Sequence, residues 1–410
     1  MDKSILHCDL NGFYASVECL FRPELKTVPM AVCGNVENRH GIILAKNEIA
    51  KKCGIVTAET VWQAKKKCPD LVLVPPHHDR YAEYSTIVNQ IYNRFTDMVE
   101  PFGIDESWLD VTGTLHLFGS GKEIADQIRA TVKNETGLTV SVGVSFNKVF
   151  AKLGSDYKKP DATTVINREN YKEIVFPLPV TELLYVGKAA AAALAKLGIR
   201  TIGDLASSDR LLISAKLGQA GEMIHDYANG LDDSPVQYAT DKREVKSVGN
   251  GMTFKRNLIG MEDIKAGILA LSDMVASRLR EYGLKCYTIQ VTIKDPKFKS
   301  ISRQKRLVTP TYLHKVISDT AIDIIKGSWN MDAPIRMMTI TGMNIVAADA
   351  CEQVTLFQDN QQTEKLEKTI DAIRYKYGTE SIKLGTNIKN DIGLSGHDKE
   401  GRQNDSEQEF

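Results

Sequence analysis

The sequence predicts an α+β multidomain protein, and three observations carry that reading. Its 410 residues are 42% hydrophobic, enough apolar content for two to three cores at roughly 150 residues per domain. The first 165 residues interleave short apolar runs with helical spacing. Beyond Asp241 the pattern settles into the order β-α-β-β-α-β.

Taken in order, Ser4 to Leu10 is an apolar stretch carrying Asp9 near its end, and Phe13 to Leu20 begins a helix. Residues 26–75 are Lys-rich, with a strand expected at Gly41 to Ala45 and a helix at Asn47 to Cys53, and read as a small lobe inserted into the first domain. Between Tyr81 and Val99, Tyr84, Ile87, Val88, Ile91, Tyr92 and Phe95 recur at helical spacing; Pro101-Phe102-Gly103 then turns the chain into a strand over Ile104 to Val111. Val140, Val142, Val144 and Phe146 alternate on a further strand, followed by a Lys-bearing helix from Asn147 to Tyr157. Pro177 to Leu231 turns to Ala, Leu and Gly, a separate small helical unit.

In the last folded unit, strands are expected at 244–254, 287–293, 299–309 and 335–343, with helices at 262–281 and 311–327. Such a unit covers one sheet face with helices and leaves the other free. Residues 346–362 read as a linker, a short helix carries Leu366, Ile370, Ile373 and Tyr377, and the polar end from Lys389 is expected to be disordered.

The net charge of zero hides an asymmetry. Lys and Arg number 26 against 29 acids over residues 1–240, 18 against 10 over 241–345, and 8 against 13 over 346–410. A basic module beside an acidic tail suits a protein that grips a polyanion, and the expectation is that the charge is displayed on the open sheet face; an ordinary solvated basic face is the alternative. No run approaches the ~18 apolar residues of a membrane span, and the N-terminus lacks a secretory layout, so a cytoplasmic chain without membrane contact is expected. Seven scattered cysteines without a C-x-x-C pair read as reduced thiols.

Three carboxylates stand at strand ends in apolar surroundings: Asp9, and the neighbours Asp105 and Glu106. Grouped carboxylates resist desolvation unless cations neutralise them, and hard oxygen donors favour Mg²⁺ or Mn²⁺; two ions about 4 Å apart can serve an in-line phosphoryl displacement. A solvated turn beside a helix cap is the other reading of Asp105-Glu106. Lys152, Lys158 and Lys159 follow a buried strand where they could meet a polyphosphate. Leu184-Tyr185-Val186-Gly187-Lys188, an Ala-rich helix and Leu197 to Leu205 have the layout of a helix-hairpin-helix, which offers backbone N–H groups to a DNA phosphate; an ordinary helical turn would look the same. Gln353-Val354-Thr355-Leu356-Phe357 has the make-up of a short docking peptide, with a polar anchor and an apolar pair.

Read together, His7 to Glu18, Ile104 to Thr112 and Asn147 to Lys152 with Lys159-Pro160 resemble the Y-family translesion DNA polymerases, most nearly the bacterial polymerase IV branch. The likeness runs in order from residue 1 to about 345 and includes Lys246-Ser247-Val248-Gly249. It implies a right-hand polymerase: palm over 1–20 and 75–165, fingers over 21–74, thumb over 166–238, a βαββαβ little finger over 241–345, and a C-terminal region over 346–410.

The resemblance further implies that Asp9, Asp105, Glu106 and the Leu10 backbone carbonyl hold two Mg²⁺, with Mn²⁺ a possible substitute. Tyr14 would be the steric gate against a ribose 2′-OH, with Phe13 in its wall, and Lys159 with Lys51 would meet the incoming dNTP. Val186, Gly187, Lys188, Lys246, Arg303, Lys305 and Arg306 are the expected contacts to primer-template DNA. Gln353, Leu356 and Phe357 would dock on a sliding clamp, and the protein is expected to act as a monomer. Three departures stand out: Asn47-Glu48-Ile49-Ala50-Lys51 where relatives carry Asn-Tyr-x-Ala-Arg, Asn11 in place of an acid, and Tyr185 in place of a hairpin glycine. Glu48 and Asn11 leave a rival reading, a non-catalytic DNA-binding or clamp-recruited accessory protein that kept the fold.

Overall fold

The computed structural model describes residues 2–34, 41–241, 244–349, 361–388 and 390–394. The first unit opens with β1 (Ile5–Leu10) and α1 (Phe13–Phe21). The chain then leaves for a small lobe of β2 (Met30–Cys33), β3 (Ile43–Lys46), α2 (Glu48–Lys52), α3 (Val61–Lys67) and β4 (Val72–Val74). It returns through α4 (His78–Tyr92), β5 (Val99–Pro101), β6 (Glu106–Asp110), α5 (Leu115–Phe118), α6 (Gly121–Thr136), β7 (Val140–Ser145), α7 (Lys148–Tyr157) and β8 (Thr163–Ile166).

The first unit's sheet runs β5-β6-β1-β7-β8, so β1 is central and flanked by antiparallel β6 and β7. All six residues of β1 are buried, as expected of a strand covered on both faces. Gly143 on β7 lets α7 lie directly on the sheet, since a Cβ there would stand 1.9 Å from the Ala151 carbonyl oxygen. On the far side α6 begins with a Ser120–Glu123 capping box and ends at Gly137 in the left-handed conformation. The inserted lobe has its own sheet, β3-β2-β4, and its own small core. It meets α1 closely: a Cβ on Gly12 (φ 53°) would come within 3.4 Å of the Lys46 carbonyl oxygen.

A helical unit follows, with α8 (Tyr171–Val175), α9 (Lys188–Ala195), α10 (Ile202–Ala206), α11 (Arg210–Leu217) and α12 (Gln219–Ala228) around Leu194, Ile202, Leu205, Ile213 and Ile224. The segment leaving it stays on the first unit. Val236 is buried with Ile5, Trp108 and Ala151, and the Gln237 N–H donates to Glu100, which also pairs with Lys148 at 2.7 Å.

The last unit comprises β9 (Ser247–Leu258), α13 (Gly260–Glu281), β10 (Leu284–Lys294), β11 (Ser300–Thr311), α14 (His314–Ser328) and β12 (Ile335–Ala347), followed by α15 (Gln361–Tyr377). Its sheet is β11-β10-β12-β9, with α13 and α14 packed on one face. The βαββαβ order agrees with the sequence pattern; each strand runs further than its alternating core, β12 to Ala347.

The C-terminal region differs from expectation. Helix α15 is docked on α13: Arg280, 5% exposed, bonds Glu367 and Asp371, and Arg374 pairs with Asp273 at 2.9 Å. Residues 390–394, at the start of the polar end, also contribute to the core, because Ile392 and Leu394 are buried in it and Asp391 pairs with Arg256. The Lys255 N–H donates to the Ile392 carbonyl at the outer edge of β9. Gln353, Leu356 and Phe357 lie outside the described residues.

Candidate active site

The site forms where β1 and β6 end together. Asp9 and Glu106 are cross-strand partners, and the Leu10 N–H donates to the Asp105 carbonyl at 3.0 Å, bringing the three acids to one end of the sheet. The next strand contributes through α7: Lys152 Nζ lies 2.5 Å from Glu106 Oε2, and Lys159, just past the helix, lies 2.5 Å from Asp9 Oδ2 and 2.7 Å from Asp156. Gly143 makes this possible by seating α7 on the sheet.

The charges do not balance. Four carboxylates (Asp9, Asp105, Glu106, Asp156) share two lysines, and among the described residues Asp105 has no ion-pair partner. Burial pushes the Asp9 carboxyl up to about 7 despite Lys159, with Glu106 and Asp105 adding repulsion. Burial and Glu106 raise Asp105 to about 6. Glu106 goes the other way: burial opposes its charge, but His7 and Lys152 outweigh that and hold it down to about 2.

His7, fully buried, lies beneath the acids with Nε2 3.1 Å from Glu106 Oε2 and Nδ1 2.8 Å from Ser155 Oγ. Burial lowers its pKa to about 4, so the ring is neutral. The Ser155 hydroxyl that His7 Nδ1 meets also donates to the Lys152 carbonyl at 2.8 Å, which links the buried ring to the turn of α7 that carries Lys152. His7 stands in the first motif, but nothing in its spacing marked it as a support for Glu106.

Among the described residues no three acid, histidine or cysteine side chains already close on a single point as a metal cage. Lys152 and Lys159 instead draw Glu106 and Asp9 to themselves. The donor set nevertheless fits a hard divalent ion: it is all oxygen, partly buried, and carries more negative charge than its lysines neutralise.

Beside the acids, Tyr14 sits in the first turn of α1, its ring stacked on Tyr81 with centroids 4.0 Å apart. Phe13 is buried next to it. Tyr81 is held in turn by Glu18, a fully buried carboxylate that accepts from the Tyr81 hydroxyl at 2.6 Å and also meets His77 and Arg80. This supporting layer was not legible in the sequence, since its members lie about sixty residues apart in the chain.

Asn11, the departure from an acid, is a structural tie. Its amide donates to Ser141, and its oxygen accepts from Thr139 and from the Asp161 N–H, which fixes the turn holding Lys159. Lys51 is not drawn to the acids; it is exposed on α2 and lies 3.6 Å from Glu48.

At the expected hairpin, Gly187 caps α9, Lys188 begins it, and Val186 is buried. Tyr185 takes the left-handed backbone (φ 67°) that a glycine would adopt freely, with its ring exposed. The hairpin shape therefore survives the substitution.

In the last unit the expected charge display is corrected. The open sheet face is lined by small polar groups, with Gly249 and Gly251 facing Thr341 and Thr339 in a cleft of about 420 Å³. Arg303 and Lys305 pair in register with core-facing Val291 and Ile289, so they point to the helix side of the edge strand, and Lys305 pairs with Asp323 of α14 at 3.1 Å. Arg306 alternates to the open side, and Lys246 is exposed just before β9. The alternation of β11 sends neighbouring charges to opposite faces.

Comparison with known proteins accords with this architecture. The impB/mucB/samB family matches residues 8–156, and that family's C-terminal domain matches residues 245–356. A protein of Acetivibrio thermocellus named DNA polymerase IV is 46% identical over 398 residues, which cover 96% of this chain and 100% of that relative. The DNA polymerase IV of Clostridium kluyveri is 37% identical, covering 95% and 99% of the two chains, and DNA polymerase IV 1 of Bacillus subtilis is 35% identical over 94% of each. A chimeric Y-family DNA polymerase of known structure shares the fold at a TM-score of 0.74 over 84% of this chain and 99% of its own, at 23% identity. With both domains matched in order and relatives aligned over nearly its whole length, this chain belongs to the impB/mucB/samB family, the polymerase IV branch of the Y-family DNA polymerases.

Proposed function

We propose that the chain is a template-directed, low-fidelity translesion DNA polymerase that joins a primer 3′-hydroxyl to the α-phosphate of a dNTP and releases pyrophosphate, in the cytoplasm. The observation that carries this reading is the cross-strand pairing of Asp9 with Glu106, Asp105 beside them, at a partly buried sheet end short of positive charge. Asp9, Asp105, Glu106 and the Leu10 carbonyl would hold magnesium, with manganese as substitute; two such ions supply charge neutralisation to the attacking and leaving oxygens of an in-line displacement.

The chain's own residues position and select. Lys159 exchanges its partner Asp9 for the incoming triphosphate, so the ion pair seen here holds the ammonium ready. Tyr14, braced by Tyr81, occupies the space a ribose 2′-OH would need. His7 and Lys152 keep Glu106 charged and oriented. The first unit serves as palm, the inserted lobe as fingers, the helical unit as thumb and the βαββαβ unit as little finger. Primer-template DNA is gripped through the Val186-Gly187-Lys188 hairpin, Lys246 and Arg306 of β11, and catalysis is positioning plus charge stabilisation. Gln353, Leu356 and Phe357 recruit the enzyme to a sliding clamp.

The accessory-protein reading is not favoured, because the three acids and both lysines are retained in one site. Primer extension with Mg²⁺ and four dNTPs, on undamaged and abasic templates, tests the proposal. The expected result is distributive synthesis that continues past the abasic position. No extension on either template refutes the enzyme reading, and accurate synthesis that halts at the lesion refutes the translesion one.

A further inference from the structure

The inserted lobe has a charge of its own. Residues 21–74 hold nine Lys and Arg against five Asp and Glu, whereas residues 1–240 as a whole hold 26 against 29. Its α3 puts Val61 and Ala64 into the lobe's core and turns Trp62 outward, 71% exposed. Lys66, one turn further on, sets its ammonium over the indole, 5.6 Å from the ring centre. Lys51 and Lys67 have carboxylate partners in Glu48 and Glu59, while the exposed Lys52 and Lys66 have none among the described residues.

A single surface indole needs no explanation. This one is joined to the catalytic end by a short path. Thr60, two residues before it, bridges Ile42, and the Val61 N–H donates to the Gly41 carbonyl at 2.9 Å. From there β3 leads to Lys46, whose carbonyl oxygen lies against Gly12, just before α1 and two residues before Tyr14. The four steps from Ile42 to Lys46 span about 13 Å of extended chain. Ile42, itself 38% exposed, adds apolar surface along that path.

We propose that Trp62 and Lys66 form a contact for single-stranded DNA, taking the unpaired template ahead of the base being copied. Proteins hold single strands with aromatic faces that stack on bases and cations that track phosphates, with little preference for sequence. Lys66 covers one face of the indole, and the residue's exposure leaves the other open to a base. The duplex contacts proposed above lie in the helical unit and the last unit, so the lobe is left to meet the strand that has not yet paired. A separation of about 13 Å from the catalytic end puts the contact a few nucleotides ahead of the nascent pair. Which strand Trp62 meets rests on the polymerase reading; its affinity for unpaired bases does not.

The test is a tryptophan-fluorescence titration of the full-length protein, whose other indoles, Trp108 and Trp329, are buried in or packed against cores. Primer-templates with a long 5′ template overhang, with an overhang of one nucleotide and with a blunt end are compared, beside oligothymidylate alone. The long overhang should quench the emission and bind roughly tenfold more tightly than the blunt duplex, the scale of one base stacked on an aromatic ring. The one-nucleotide overhang should behave as the blunt end does, and oligothymidylate should quench by itself. Trp62→Ala should lose both the quench and the preference for an overhang. Trp62→Phe should keep most of the preference, and Lys66→Gln should reduce it together with its salt dependence. Trp62 is outside the lobe's core, so these substitutions remove no core contact. Equal wild-type affinity for overhang and blunt duplexes overturns the proposal, as does a quench that persists in Trp62→Ala. An intact overhang preference in a protein that extends no primer would sink the polymerase reading and leave this contact standing, so the two fail separately.

Discussion

Tyr14 lies face to face with Tyr81, ring centroids 4.0 Å apart and planes 12° from parallel, and Tyr81 is anchored by the buried Glu18 carboxylate. A ring stacked so closely cannot swing away from a sugar without losing its contact. Tyr14→Ala should therefore raise ribonucleotide incorporation by one or more orders of magnitude, while Tyr81→Ala, which removes only the brace, should raise it less. Single-nucleotide insertion kinetics with dNTP and rNTP decide this, and an unchanged sugar preference in Tyr14→Ala would remove it from the gate.

Asp105 is a half-buried carboxylate beside Glu106, and Lys159 and Lys152 offset its raised pKa without pairing with it. Its raised pKa means that stability is greatest below the ordinary carboxylate range and is lost as pH rises through about 6. Asp105→Asn should abolish nucleotide addition yet stabilise the metal-free protein, by an amount on the order of 1 kcal/mol at neutral pH. Thermal melting in chelator should show the higher midpoint in the variant, and added Mg²⁺ should stabilise wild type alone.

Gly143 has the Ala151 carbonyl oxygen where a Cβ would be. Gly143→Ala should push α7 off the sheet, costing about 1–3 kcal/mol as an overpacked site and drawing Lys152 and Lys159 from the acids. Denaturant unfolding together with the KM for dNTP tests this. A variant with wild-type stability would mean the helix has room to shift.

Arg280 is a buried guanidinium shared by Glu367 and Asp371, with its third contact at the Tyr312 carbonyl. Arg280→Ala should cost about 3–5 kcal/mol, since both carboxylates lose their buried partner. The expected readout is rapid proteolysis within α15, under conditions where the wild-type helix resists.

Arg306 and Lys305 are adjacent but face opposite sides of β11. Arg306→Ala should weaken primer-template binding and lower the slope of log affinity against log salt by about 1, whereas Lys305→Ala should do less because Asp323 already engages it. Equal slopes for both variants would refute the assignment of faces.

Much of this was legible in the sequence because it is local. Period-2 alternation in Tyr287, Ile289, Val291 and Ile293 and the stripe Ile264, Ile268, Leu271, Val275 and Leu279 fix strand and helix from neighbours a few residues apart. The three acids were legible because charged groups inside apolar strands are costly. The short β4 escaped, since three residues carry no period and its parallel pairing with β2 is set by the lobe's packing. The docking of α15 escaped for a different reason: its acidic residues are matched to Arg280, about ninety residues earlier, and a solvated helix has the same pattern. The sequence showed how much charge the last unit carries, but only the register of β11 against β10 tells which side each residue takes.

The short crossing of residues 390–394 over β9 has a practical corollary. An outermost strand with bare amides invites pairing with a second molecule, and here the Ile392 carbonyl blunts that rim. Versions shortened before residue 390 for crystallisation or tagging should self-associate as concentration rises, even while their catalytic half is untouched.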